Sequence, residues 1–164
     1  MLCAQLKSEN GRNSVSSGRL HLAPDLKLLT QADINSLDFQ CLALIERALE
    51  YDSTYTTYDV LNDLRAGKAQ LWVAGYGDTV DGICVTCINT YPKSKVCLIW
   101  LLSGNRGGVY SWELINQLLT KIEAWAEAQG CDLMSIEGRP GWERVLPDYK
   151  KTKVILERAL DHGR

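Results

Sequence analysis

The chain has 164 residues and a mass of 18.3 kDa, with 18 Lys+Arg against 20 Asp+Glu for a formal net charge of -2. Hydrophobic residues make up 46% and charged residues 23%, the balance of one soluble globular domain, which excludes collagen-like and disordered chains. A chain of this length buries roughly two-thirds of its unfolded surface without metal or disulfide staples, and its near-neutral charge argues against a nonspecific polyanion binder.

Residues 1–24 read as a polar arm, rich in Ser, Gly and Asn, and residues 25–164 as a single domain. The arm lacks the continuous apolar stretch of a secretory leader. No apolar run reaches the roughly 18 residues of a spanning helix; the longest lies near Val96–Leu102. The expectation is a soluble protein of the cytoplasm.

In chain order, Asp25–Leu29 is a short apolar segment and the first candidate strand. Thr30 is placed as a helix N-cap, with Asp33 at the third position complementing the helix dipole. Leu37, Cys41, Leu44, Ile45 and Ala48 then recur at helical spacing through Glu50, with Asn35-Ser36 as a point of interruption. Tyr58–Ala66 predicts a second helix with Leu61 and Leu64 inward and Gly67 as its stop. Gln70–Tyr76, Val80–Tyr91 and Val96–Leu102 predict three consecutive strands of an antiparallel meander, the last buried on both faces.

The glycine-rich loop Ser103–Gly108 leads to Ser111, read as the N-cap of a long helix over Trp112–Gln129. The apolar stripe of that helix is Ile115, Leu118, Leu119, Ile122, Trp125 and Ala126, and Gly130 ends it. Asp132–Glu137 is a further strand, Trp142–Leu146 a single helical turn, and Lys151–Leu156 a closing strand. The fold class is α/β (α+β), in the order β-α-α-β-β-β-α-β-(α)-β: a mixed, mainly antiparallel sheet with helices on both faces.

Six cysteines are present: Cys3, Cys41, Cys84, Cys87, Cys97 and Cys131. Cys84 and Cys87 form a CxxC, but residues three apart on a strand point to opposite faces. Free buried thiols, with no metal site, are expected.

Three stretches carry a resemblance. Leu26–Ile34 looks like an opening strand with a Thr-x-x-Asp helix start. Val96–Gly130 combines a central strand, a glycine-rich loop and a long helix ending Glu-Ala-Trp-Ala-Glu-Ala-Gln-Gly. Asp132–Leu160 looks like a strand, a short helix, a Tyr corner and a last strand. Together they resemble the GCN5-related N-acetyltransferase (GNAT) superfamily. The resemblance implies acetyl-CoA as cofactor and an amine as acceptor. It also implies a cofactor site at Leu102, Arg106, Gly107, Gly108, Val109 and Ser111, with the pyrophosphate on the loop and helix start.

The loop departs from the family's Arg/Gln-x-x-Gly-x-Gly/Ala pattern: Arg106 matches, Val109 stands at the first glycine, and Ser111 at the second small residue. The position of the family's acid Tyr holds Arg144 or Val145. The catalytic candidates that remain are Glu137 as base and Tyr149 or Tyr110 as acid, with Arg139 as an anion contact. Tyr110, Trp112 and Trp142 are expected to crowd the cofactor's place. Tyr51, Tyr55 and Tyr58 fall where the family lines its acceptor groove, or else pack the early helices onto the sheet.

A narrower likeness rests on Gln70-Leu-Trp-Val73, Trp112 and Gly138–Leu146. It is similar to small GNAT-like proteins encoded by tailed bacteriophages. It implies an alternative role: a non-catalytic virion component of the head–tail region, held to phage structural proteins by the arm and an aromatic surface, oligomeric or part of an assembly. Lys150, Lys151 and Lys153 read as a solvated edge strand rather than a nucleic-acid contact.

Overall fold

Alternating apolar residues build the centre of the fold. The strands β2 (Ala69–Tyr76), β3 (Thr79–Tyr91) and β4 (Ser94–Gly104) form an antiparallel meander, and β1 (Asp25–Leu28) joins the outer side of β2, also antiparallel. β5 (Leu133–Ile136) joins β4 in parallel, so the five-stranded sheet runs β1-β2-β3-β4-β5. The computed structural model describes residues 23–50, 54–105, 111–138, 142–156, 158 and 160. Residues 1–22 of the arm expected over 1–24, with Cys3, lie outside them.

The helices cover both faces, as the fold class requires. α1 (Gln31–Asn35), α2 (Phe39–Leu49) and α3 (Thr57–Arg65) pack Ile34, Leu44, Ile45, Val60 and Leu64 on Leu71, Ile83, Val85 and Leu101. On the other face α4 (Ser111–Ala128) packs Leu114, Leu118, Leu119, Ile122 and Ala126 on Trp72, Ala74, Cys84, Cys97 and Ile99. The one-turn helix α5 (Trp142–Val145) follows β5, and Leu146 after it is buried in the same core.

Short polar side chains set the helix boundaries. Thr30 and Asp33 form a capping box at α1: the Asp33 carboxylate accepts from the Thr30 N–H at 2.8 Å, and Thr30 Oγ1 accepts from the Asp33 N–H at 3.3 Å. Those bonds, with Lys27 nearby, lower the Asp33 pKa to about 2. The interruption expected at Asn35-Ser36 divides the helical stretch into two helices. Ser36 ends the first, and the Asp38 carboxylate accepts from the Cys41 N–H at 2.9 Å to start α2. Thr56 and Asp59 form a second capping box, starting α3 one residue before the expected Tyr58. Its phase buries Val60 and Leu64, while Leu61 is only half-buried. Gly67 (φ +70°) and Gly77 (φ +60°) take the left-handed conformation that their turns need.

Two other expectations change. α4 begins at Ser111 itself, one residue earlier than predicted. Lys151–Leu156 forms no strand: it has no regular structure, and Val154, Ile155 and Leu156 are exposed. Lys150, Lys151 and Lys153 are exposed as expected, but on an irregular segment.

The register of β5 is fixed at its start. The Asp132 N–H donates to the Lys95 carbonyl at 2.7 Å, and the Lys95 N–H donates to the Asp132 carboxylate at 2.8 Å. Met134 and Ile136 then face the α4 core. Cys84 and Cys87 fall in the two opposite cores, and the described cysteines are free thiols. Among the described residues no three metal-ligating side chains stand together, and no helix is long and apolar enough to cross a membrane.

One polar network crosses the α4 core. The buried Trp72 Nε1–H donates to Thr86 Oγ1 at 3.1 Å, and the Thr86 hydroxyl donates to Gln70 Oε1 at 3.2 Å. Thr86→Val keeps the shape and strands the indole N–H, at a cost of about 1–3 kcal/mol by urea unfolding. Burial also raises the thiols of Cys41 to about 12 and of Cys87 and Cys97 to about 11, from 9.0. The folded chain therefore holds protons that the unfolded chain releases, so stability is full below pH 9 and falls as pH climbs through these values. A series of unfolding midpoints from pH 8 to 11 is expected to decline from about pH 9 upward.

Candidate active site

The site grows from an irregularity in β4. Val85 pairs with Leu101 but Thr86 pairs with Ile99, so Trp100 is an extra residue, a β-bulge. The bulge inverts the side-chain alternation. Ile99 lies in the α4 core, Trp100 and Leu101 both pack toward α1–α3, and Leu102 returns to the α4 side. Pairing with β5 stops at the same place: the last parallel pair is Ile99 with Ile136, while β4 continues to Gly104. The two strands part there, forming a fork on the side of the sheet edge.

The end of β4 is pinned from three directions. Arg47 of α2 donates from Nη1 to the Gly104 carbonyl at 3.1 Å and to Asn105 Oδ1 at 3.5 Å. The Asn105 N–H donates to the Asp81 carbonyl at 2.8 Å, and Asn105 Nδ2 donates to Val80 O and Asp81 Oδ1 at 3.3 Å each. Asp81 is itself a bulge residue of β3, since Ala74 pairs with Gly82 but Gly75 with Val80. That bulge brings the chain against Gly75, where an added Cβ would lie 1.8 Å from the Thr79 carbonyl oxygen. Sequence reasoning missed Arg47, Asn105 and Asp81. Their contacts span 24 residues or more, and no local pattern reports them.

The candidate residues fall around this fork as follows. Leu102 lies on β4, half-buried toward α4. Glu137 is exposed and follows β5 directly, one residue past the last β4–β5 pair. Ser111 is the first residue of α4. Arg106, Gly107, Gly108, Val109 and Tyr110 lie outside the described residues, as does Arg139. Trp142 packs into the α4 core and covers Gly138, where an added Cβ would meet its ring at 2.7 Å. Tyr55 sets its ring edge-on to Trp100, with centroids 4.8 Å apart, while Tyr58 is exposed and Tyr51 lies outside the described residues.

Tyr149 is anchored elsewhere. It is half-buried against the α4 core, and its hydroxyl donates to Glu123 Oε1 at 3.0 Å. Burial first, and then the Glu123 carboxylate, push the phenol pKa well above its usual value, so it stays protonated at neutral pH. Glu123 is twelve residues from Ser111, about 18 Å along an α-helix. The geometry thus ties the Tyr149 proton to the far half of α4, away from the helix start.

Solved structures share this architecture. An aminoglycoside N-acetyltransferase in complex with CoA superposes with a TM-score of 0.65 at 13% identity, over 84% of this chain and 95% of that one. A GNAT family acetyltransferase of Staphylococcus aureus gives 0.61 at 13% identity, over 85% and 100%. The fold is the GNAT fold. A predicted acetyltransferase of Clostridium acetobutylicum with acetyl-CoA gives a TM-score of 0.65 at 12% identity, over 86% and 100%. No protein-family model and no curated protein matches the sequence. The end of β4 at Leu102 and the start of α4 at Ser111 are the described parts of the segment to which the sequence resemblance assigned the cofactor.

Tyr149→Phe removes one half-buried hydrogen bond and is expected to cost about 0.5–1.5 kcal/mol in urea unfolding.

Proposed function

We infer that the protein is an N-acetyltransferase that uses acetyl-CoA and an amine acceptor. The observation that carries this reading is the fork. Five residues of β4, Trp100–Gly104, run past the last pair with β5, so among the described residues main-chain groups on that side have no strand partner. An extended thiol arm fits such an edge by strand-like hydrogen bonding, as extended peptides do. The donors fit as well: the first turn of α4 has N–H groups without an intrahelical partner, at the positive end of an 18-residue helix.

In this reading the main chain around Leu102 holds the extended arm. The segment Arg106, Gly107, Gly108, Val109 and Ser111 receives the pyrophosphate, with Arg106 adding a full charge to the helix-end donors. Acetyl-CoA supplies the activated thioester carbonyl. Glu137, placed where β4 and β5 part, takes the proton of the attacking amine, and Tyr110 protonates the departing thiolate. The aminoglycoside acetyltransferase among the similar folds supports an amine as acceptor. Trp100 and Tyr55, edge to face on the α1–α3 side, present an aromatic wall beside the bulge.

Isothermal titration with acetyl-CoA tests the reading: saturable heat is expected at micromolar to high-micromolar concentration. Glu137→Gln is expected to lower kcat at least about 10²-fold while leaving acetyl-CoA affinity within about twofold. No heat at high-micromolar acetyl-CoA overturns the reading in favour of a non-catalytic protein on the same fold.

A further inference from the structure

The end of β4 is held between two layers. On one face, an added Cβ at Gly104 would meet Ile115 Cδ1 of α4 at 3.8 Å, four residues past the helix start at Ser111. On the other face, Arg47 crosses from α2 and donates from Nη1 to the Gly104 carbonyl and to Asn105 Oδ1. The direction of that carbonyl locates the guanidinium. The Asn105 N–H points to β3, where it donates to the Asp81 carbonyl. A trans peptide sets its C=O opposite its N–H, and no described peptide bond is cis. The Gly104 carbonyl therefore faces away from β3, toward the side that β5 has left, and Arg47 follows it there.

The charge at this place is open to a ligand. Arg47 is half-buried, and a guanidinium stays charged at any working pH. Both of its bonds leave from Nη1 and go to neutral oxygens, so among the described residues Nε and Nη2 carry none. The close ion pairs among those residues are Lys27 with Asp33 and Lys68 with Asp63, and neither involves it. A partly desolvated guanidinium with donors to spare favours an anion, and its planar fork matches phosphate oxygens.

We propose that Arg47 is a binding residue for a diphosphate lying across the open end of the fork. One phosphate meets the guanidinium, and the second reaches the first turn of α4 on the other face of β4. A ligand with two linked anionic groups serves both faces where a single anion serves one. The identity of the ligand rests on the acetyl-CoA reading, in which the diphosphate is the cofactor's. The assignment puts a cation on α2, outside the glycine-rich loop. The same side chain also holds Gly104 and Asn105, so it meets the ligand already ordered, which lowers the cost of binding.

Isothermal titration of the full chain tests this with three probes: acetyl-CoA, S-acetylpantetheine, which lacks the diphosphate, and sodium pyrophosphate. Arg47→Met is expected to weaken acetyl-CoA about 10–100-fold, the worth of a charge-assisted hydrogen bond. It is expected to abolish millimolar pyrophosphate binding and to leave S-acetylpantetheine within about twofold. Arg47→Lys keeps a charge without the planar fork and is expected to fall between wild type and Arg47→Met. Urea unfolding midpoints show that each variant is folded. Equal weakening of acetyl-CoA and S-acetylpantetheine overturns the proposal, because a residue that only pins β4 acts on both. An acetyl-CoA affinity unchanged in Arg47→Met overturns it too. Pyrophosphate binding that depends on Arg47, in a wild type that gives no heat with acetyl-CoA, keeps this site and overturns the acetyl-CoA reading instead; no heat with either ligand overturns both.

Discussion

The bulge at Trp100 is the constraint on which the rest of the molecule turns. Were Trp100 accommodated by strict alternation instead of a bulge, Leu101 would point to α4 rather than join the core under α1–α3. With it, one strand serves two cores in succession: Cys97 and Ile99 fill the α4 face, and Trp100 and Leu101 the other. A bulge also increases local twist and bends the strand that carries it. That bend coincides with the last pair to β5, so the discontinuity that redistributes the cores also opens the fork.

Polar contacts then hold the opened end in place. Arg47 reaches from α2 to the Gly104 carbonyl, and Asn105 bonds back to the bulged turn of β3. These groups belong to elements far apart in the chain, and they fix main chain that would otherwise lack partners. The Trp72–Thr86–Gln70 network does the same inside the α4 core, where each polar atom is paired with a neighbour on an adjacent strand. Among the described residues no buried side-chain polar atom lacks a partner.

Much of this was legible in the residues. Thr30 with Asp33, the apolar run of β4 and the stripe along α4 report local physics: capping, double-sided burial and helical phase. The interruption at Asn35-Ser36 was legible too, and Asp38 supplies the N-cap that restarts the helix. The misreadings have identifiable causes. Lys151–Leu156 has a strand's composition, but composition gives no partner, and none lies within the described chain. The bulges were invisible because an inserted residue changes register against a neighbour, a relation between strands rather than a pattern within one. Tyr149 was legible as a corner residue; its bond to Glu123 was not, since 26 residues separate the two.

The junction of β4 and β5 has a consequence for how the molecule assembles and breathes. Each meander strand meets its neighbour across a short turn, whereas β5 reaches β4 only after the whole crossover through α4, Val96 meeting Leu133. Pairings so distant in sequence form late and close the largest loop. Only four pairs hold β5, clamped at one end by Asp132 and Lys95. Among the described residues no such clamp follows Ile136, so local opening of β5 is expected to start there and spread toward Asp132. The sheet edge beside β4 is thus built on a short pairing secured at its start, the last part of the sheet to be completed and the one with the fewest main-chain bonds to hold it.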